Sequence, residues 1–263
     1  MNDSNKKNHP SLRHRLFAVW FRHLRVYGQH LTSNAFPPFL EPLIFLGGIG
    51  LGLGRFITEP VGGVPYIQFL SLGLLVTTAM WTSAFECTFG TFIRLEYQKV
   101  YDGMLASPLT ADNLIVGEIL WGATKGFLFS FAVLCVMIPF GLAPLPQALA
   151  APFLGFITAA MFASLGLLVT SFIKTINHFN FFMTGCISPM FFFSGVVFPL
   201  DNLPPALRPV AEVLPLTHSV RIMRAIGQNQ WSAILLWDTF YILVFITGAS
   251  FFAARRLRHR MIQ

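Results

Sequence analysis

The sequence predicts an all-α integral membrane protein with six transmembrane helices, an N-terminal interfacial helix, a short inner helix between two spans, and short outer re-entrant helices. Three observations carry this. Hydrophobic residues make up 54% of the chain and charged residues 11%, far below the roughly 25% charged residues that coat a soluble domain. Apolar runs recur at about the 20 residues needed to cross the hydrocarbon core. Lys and Arg crowd the segments that fall on one side of the membrane.

Residues 1–31 form the first element, polar and basic at the start. Leu12, Leu16, Val19, Trp20, Leu24 and Tyr27 recur at helical spacing, with Arg13, Arg15, Arg22 and Arg25 between them. Such a helix lies in the interface, with its aromatic rings at headgroup depth. The Arg residues also interrupt any clean apolar core of a cleavable signal.

The transmembrane region is residues 32–254, with spans at Thr32–Leu53, Tyr66–Phe89, Leu114–Pro139, Pro152–Phe172, Asn180–Pro199 and Trp231–Ala254. The fifth holds Gly195 and ends at a proline, which marks it as a broken or re-entrant helix. A basic tail, 255–263, closes the chain. With both termini cytoplasmic, the inner side receives Lys6, Lys7, Arg13, Arg15, Arg22, Arg25, Arg94, Lys99, Lys174, Arg255, Arg256, Arg258 and Arg260. The outer side receives only Arg55, Arg208, Arg221 and Arg224. The net charge of +7 therefore reflects topology and contact with anionic lipid, and implies no nucleic acid.

Two connections stand out. The inner one, 90–113, contains Arg94, Leu95, Glu96, Tyr97, Met104 and Leu105, and its amphipathic pattern suits docking of a soluble motor. The outer one, 200–230, is punctuated by Pro204, Pro205, Pro209 and Pro215, yet Ala206–Leu214 and Ser219–Ile226 suit short helices on the outer leaflet.

Charges assigned to spans are Glu41, Glu86, Glu118 and Lys125. Charge inside a bilayer is expensive, so each needs a reason. Two readings stand: Lys125 pairs with Glu86 or Glu41 and holds the first three spans in register, or these groups line a polar path for cargo. Gly47, Gly48, Gly50, Gly52 and Gly54 suit close helix approach or self-association, with Gly122 and Gly126 as a weaker case. Phe191, Phe192 and Phe193 form a candidate apolar gate or a packing run. Cys87, Cys135 and Cys186 sit in apolar stretches and read as free thiols. The segment Gly117 to Lys125 lacks the ending of a phosphate loop, and neither HExxH nor GxSxG occurs. No catalytic, cofactor or metal site is expected on this chain. His218, alone in the outer segment, reads as a packing residue.

Glu41-Pro42-Leu43-Ile44 with the glycine run, Phe85-Glu86, Met104-Leu105 through Leu109-Thr110, Gly117-Glu118, and Ala123-Thr124-Lys125 form an ordered set. It continues with Ser188-Pro189-Met190, Ser194 to Pro199, Leu203-Pro204 and Leu214 to Ser219. In these the chain resembles the permease subunit of ABC-2-type exporters, within the NodJ group that exports lipo-oligosaccharides. The resemblance implies a bacterial inner-membrane complex of two permease copies and two separate ABC-type ATPase subunits, which hold the ATP and Mg. The insert becomes the coupling helix, and the conduit forms between the two permease copies. A self-sufficient channel or secondary transporter would favour inverted repeats or an ionisable relay across several spans. A membrane-embedded transferase would group His, Asp or Glu at one membrane face.

Overall fold

The computed structural model describes residues 10–29, 36, 39–40, 43–54, 56–57 and 59–262. Its helices in chain order are α1 (Leu12–Gln29), α2 (Leu43–Gly54), α3 (Tyr66–Tyr97), α4 (Val100–Leu105), α5 (Ala111–Met137) and α6 (Gln147–Phe172). Next come α7 (179–193), α8 (Arg208–Val213), α9 (Pro215–Gln228) and α10 (Ile234–Ile262). The one β contact among the described residues is the isolated Val61–Val64 bridge.

Four helices among the described residues are long and apolar enough to cross a membrane: α3, α5, α6 and α10. The other two expected spans are represented among the described residues by shorter helices, α2 and α7. The first expected span is described only from Leu43 onward in continuous helix, and Glu41 lies outside the described residues. The fifth stops short of Pro199. Its helix passes through a π stretch at Met183–Ile187 and ends at Phe193. Residues 179–193 give about 22 Å of rise, less than the roughly 30 Å hydrocarbon core.

The second expected span is longer than its hydropathy. α3 runs for 32 residues to Tyr97, through π stretches at Glu86–Gly90 and Ile93–Tyr97. Hydropathy stops at Arg94, but this charge is neutralised within the bundle, so the helix continues. Lys99, in the left-handed region at φ 51°, then turns the chain into α4. Thr110 starts α5: its Oγ1 accepts from the Asn113 amide at 3.4 Å while its own amide donates to Asn113 Oδ1 at 3.2 Å. This reciprocal cap fixes the helix start.

α3, α5 and α6 form the centre, and small residues let α5 meet α6 closely. A Cβ on Gly126 would lie 2.1 Å from Ala159 Cβ, and one on Gly155 2.1 Å from Ser130 Oγ. Gly47, Gly48 and Gly52 have open space where a Cβ would go. Within the run Gly50 is close to α3, an added Cβ falling 3.1 Å from Ile67 Cγ1, but the approach at Gly126 is tighter. Gly126→Leu is expected to lower stability by about 1–3 kcal/mol through overpacking, read as a fall in unfolding temperature in detergent. Gly48→Ala should stay within about 0.5 kcal/mol of the parent. Equal effects at the two positions would contradict this packing.

α1 is more than an interfacial anchor. Val19 fills the notch at Gly117, whose added Cβ would fall 2.3 Å from Val19 Cγ1, and Trp20 Nε1 donates to Thr124 Oγ1 at 2.9 Å. Phe17 and Phe21 on the other face stay exposed. At the same end of the bundle Arg258 of α10 pairs with Asp112, and Arg260 Nη2 donates to Glu96 at 2.8 Å. Thus α1, α4 and the end of α10 share one end.

Candidate functional site

At that end, the π stretches of α3 bring Glu86, Thr91 and Arg94 against Glu118 and Lys125 of α5. Arg94 is the hub. Its Nη1 donates to Glu86 Oε1 at 2.8 Å, its Nη2 to Glu118 Oε2 at 2.6 Å, and its Nε to Glu118 Oε1 at 3.2 Å. Lys125 Nζ donates to Glu86 Oε2 at 2.8 Å. Two cations thus meet two carboxylates, and the cluster is neutral.

Three further residues close it. Thr91 Oγ1 donates to Glu118 Oε2 at 3.3 Å. Tyr101, buried on α4, donates its hydroxyl to Glu118 Oε1. Burial, and next the Glu118 charge, push the Tyr101 phenol well above its usual value, so it remains a donor. His23 of α1 places Nε2 3.1 Å from Glu118 Oε1, off the hydrogen-bond direction, and stacks on Trp121 with centroids 5.8 Å apart.

These contacts assign different capacities to the predicted residues. Both oxygens of Glu118 are taken, leaving none for cargo. Lys125 is paired with Glu86, yet the pair borders two crevices. One, of about 340 Å³, is lined by Trp81, Phe85, Phe89 and Phe129; the other, of about 270 Å³, by Arg22, Tyr27, Arg94 and Trp121. Lys125 Nζ also lies 5.4 Å from the Tyr27 ring centroid, within cation–π reach.

The expected docking residues divide. Arg94 and Leu95 turn inward, Arg94 into the ionic cluster and Leu95 into the core. Glu96 is engaged by Arg260, Tyr97 is exposed, and Met104 and Leu105 are half-buried. The expected gate also divides: Phe191 is buried and packs edge-on against Phe45 at 5.4 Å, whereas Phe192 and Phe193 are exposed.

A second cluster escapes the sequence reading, which does not count Asp238 among the span charges. Asp238 is fully buried in α10, and its Oδ1 faces His218 Nδ1 at 2.6 Å and Arg221 Nη1 at 2.8 Å. His218 Nε2 faces the Glu212 carbonyl at 3.0 Å, its ring stacks on Tyr241 at 3.9 Å, and Arg221 also pairs with Glu212. The available signal is an acid alone in a long apolar run, which demands a cation from another segment. Beside this cluster, burial draws the Arg224 guanidinium down to about 9. It lies 3.5 Å over the Phe69 ring and donates to the Val196 carbonyl at 3.2 Å. Together these contacts order Glu212 to Arg224 against α3 and α10.

Four long apolar helices, two of them joined by a buried ionic cluster, have the build of an integral membrane protein. Residues 14–227 match the ABC-2 type transporter family, and the chain belongs to it as a transport permease of the bacterial inner membrane. That family works with an ABC ATPase. The chain is 36% identical over 209 residues to nodulation protein J of Rhizobium meliloti (strain 1021), covering 80% of this chain and 79% of that protein. It is 33% identical over 247 residues to nodulation protein J of Rhizobium leguminosarum bv. viciae, covering 94% and 95%. The inner membrane transport permease YadH of Escherichia coli (strain K12) is 22% identical over 231 residues, covering 87% and 88%.

Proposed function

We infer that this chain is the membrane half of an ATP-driven exporter that carries an amphiphilic lipid- or saccharide-linked substrate outward. Two copies assemble with two ABC-type ATPase subunits, and ATP and Mg reside on those subunits. The end bearing α1, α4 and the α10 terminus is cytoplasmic, and α2 and α7 complete six membrane elements. Similarity to nodulation protein J favours this cargo class, and the basic end of the bundle favours this orientation.

The observation that carries the reading is the Tyr101–Glu118 hydrogen bond. It ties the short, partly exposed helix α4 to a neutral cluster that joins α3 to α5. A push on α4 therefore moves two long helices together instead of bending a loop. ATP drives this only by differential binding to the two states of the complex. The docking face comprises Tyr97, Asp102, Ala106 and Ser107, all exposed. The crevices beside Glu86 and Lys125 receive the polar part of the cargo, and Phe192 and Phe193 stand at the outer exit.

The test is purification from the native membrane, identification of co-purifying chains and measurement of ATP hydrolysis. Asp102→Arg should remove at least about tenfold of the associated ATPase, as reversal of an interfacial charge typically does, with an unchanged unfolding temperature. Stoichiometric ATPase retained by the variant would place the docking face elsewhere. No ATPase with the folded parent would defeat the exporter reading.

A further inference from the structure

We propose that the crevice between the end of α6 and the last turns of α10 binds the phosphodiester headgroup of an anionic bilayer lipid. It measures about 370 Å³ and is lined by Ser171, Phe172, Lys174, Arg256, His259 and Arg260. No carboxylate is in that lining. Among the described residues Lys174 and Arg256 have no acidic partner, whereas neighbouring Arg258 and Arg260 do.

A helix C-terminus would ordinarily make such a place unfavourable for an anion, through its unpaired carbonyls. Here Arg260 Nη1 covers them, donating to the carbonyls of Thr170 at 2.5 Å and Ile173 at 2.7 Å. The remaining cations therefore face the crevice without a compensating charge. The Arg256 guanidinium lies 3.9 Å over the Phe172 ring, which is itself 58% exposed. Phe252, also exposed, sits one turn before Arg256 on the same face of α10.

A cationic rim over an exposed apolar wall matches one occupant. Acyl chains lie along Phe172 and Phe252 while the headgroup meets Lys174 and Arg256, as basic pockets between membrane helices do with anionic lipids. A dissolved anion would use the rim and leave the wall bare. Because Arg260 also holds Glu96 at the end of α3, a bound lipid would steady the joint between α3, α6 and α10. The assignment is independent of the cargo.

Binding of phosphatidylglycerol and phosphatidylcholine to the detergent-purified chain is to be compared by native mass spectrometry. Lys174→Gln with Arg256→Gln should weaken phosphatidylglycerol binding about tenfold. Arg13→Gln with Arg25→Gln, which removes the same charge from α1, should have little effect. Equal losses in the two pairs, or no loss in the first, would overturn the site. Displacement of lipid by millimolar inorganic phosphate would do so too, since it marks a dissolved-anion site. If the glutamine pair unfolds, Lys174→Arg with Arg256→Lys decides: retained binding supports the site and lost binding refutes it.

Discussion

Arg94→Leu is expected to cost about 3–5 kcal/mol, the usual consequence of leaving a buried carboxylate without its cation. Against a total stability of about 5–15 kcal/mol, most of the chain would fail to accumulate as monodisperse protein. The reason is specific to Arg94. It supplies three hydrogen bonds to two carboxylates, whereas Lys125 supplies one to Glu86 alone. Lys125→Met should therefore cost clearly less, because Glu86 keeps Arg94. Arg94→Leu combined with Glu118→Gln restores neutrality; the side-chain amide carbonyl introduced at position 118 can still accept from Tyr101, while its NH2 can donate to the Thr91 hydroxyl. That double variant should recover more than half of the lost stability. Unfolding temperature in detergent is the readout. Equal costs for Arg94→Leu and Lys125→Met, or no recovery in the double variant, would remove Arg94 from the centre of the cluster.

This cluster also marks where sequence reasoning succeeds and where it stops. Apolar length alone locates α3, α5, α6 and α10, since burial in lipid imposes composition directly. The cost of isolated charges asks for a partner for Lys125 and leaves Glu86 and Glu41 as candidates; the structure pairs it with Glu86. Arg94 is different: a charge at the end of an apolar run reads as a boundary, and only the π stretches, with Glu86 of α3 and Glu118 of α5, bring it inside. His23 and Asp238 fail for a related reason. Each meets partners far away in sequence, and one chain read linearly carries no distance between segments. The glycines show the same limit, because spacing reveals which helices can approach closely and not which ones do. The Gly47 to Gly54 run has the stronger pattern, yet the approach at Gly126, 2.1 Å from Ala159 Cβ, is closer than any in the run, where Gly50 comes nearest at 3.1 Å from Ile67.

The Asp238 cluster yields the second large effect. Asp238→Ala should cost about 3–5 kcal/mol, and the loss should be local. Both ring nitrogens of His218 face acceptors, Asp238 Oδ1 at 2.6 Å and the Glu212 carbonyl at 3.0 Å. Removing the carboxylate leaves His218 and Arg221 facing apolar α10 with only Glu212 to share. The attachment of α9 to α10 is what this weakens, while the α5–α6 contact lies apart from it. Hydrogen exchange should accelerate across Pro215–Gln228 and stay unchanged across α5 and α6. His218→Phe preserves a ring to stack on Tyr241 and leaves Arg221 to pair with Asp238, so its effect should be smaller. Uniform acceleration through the bundle would mean that Asp238 supports the whole fold. No acceleration would mean that packing alone holds α9 against α10.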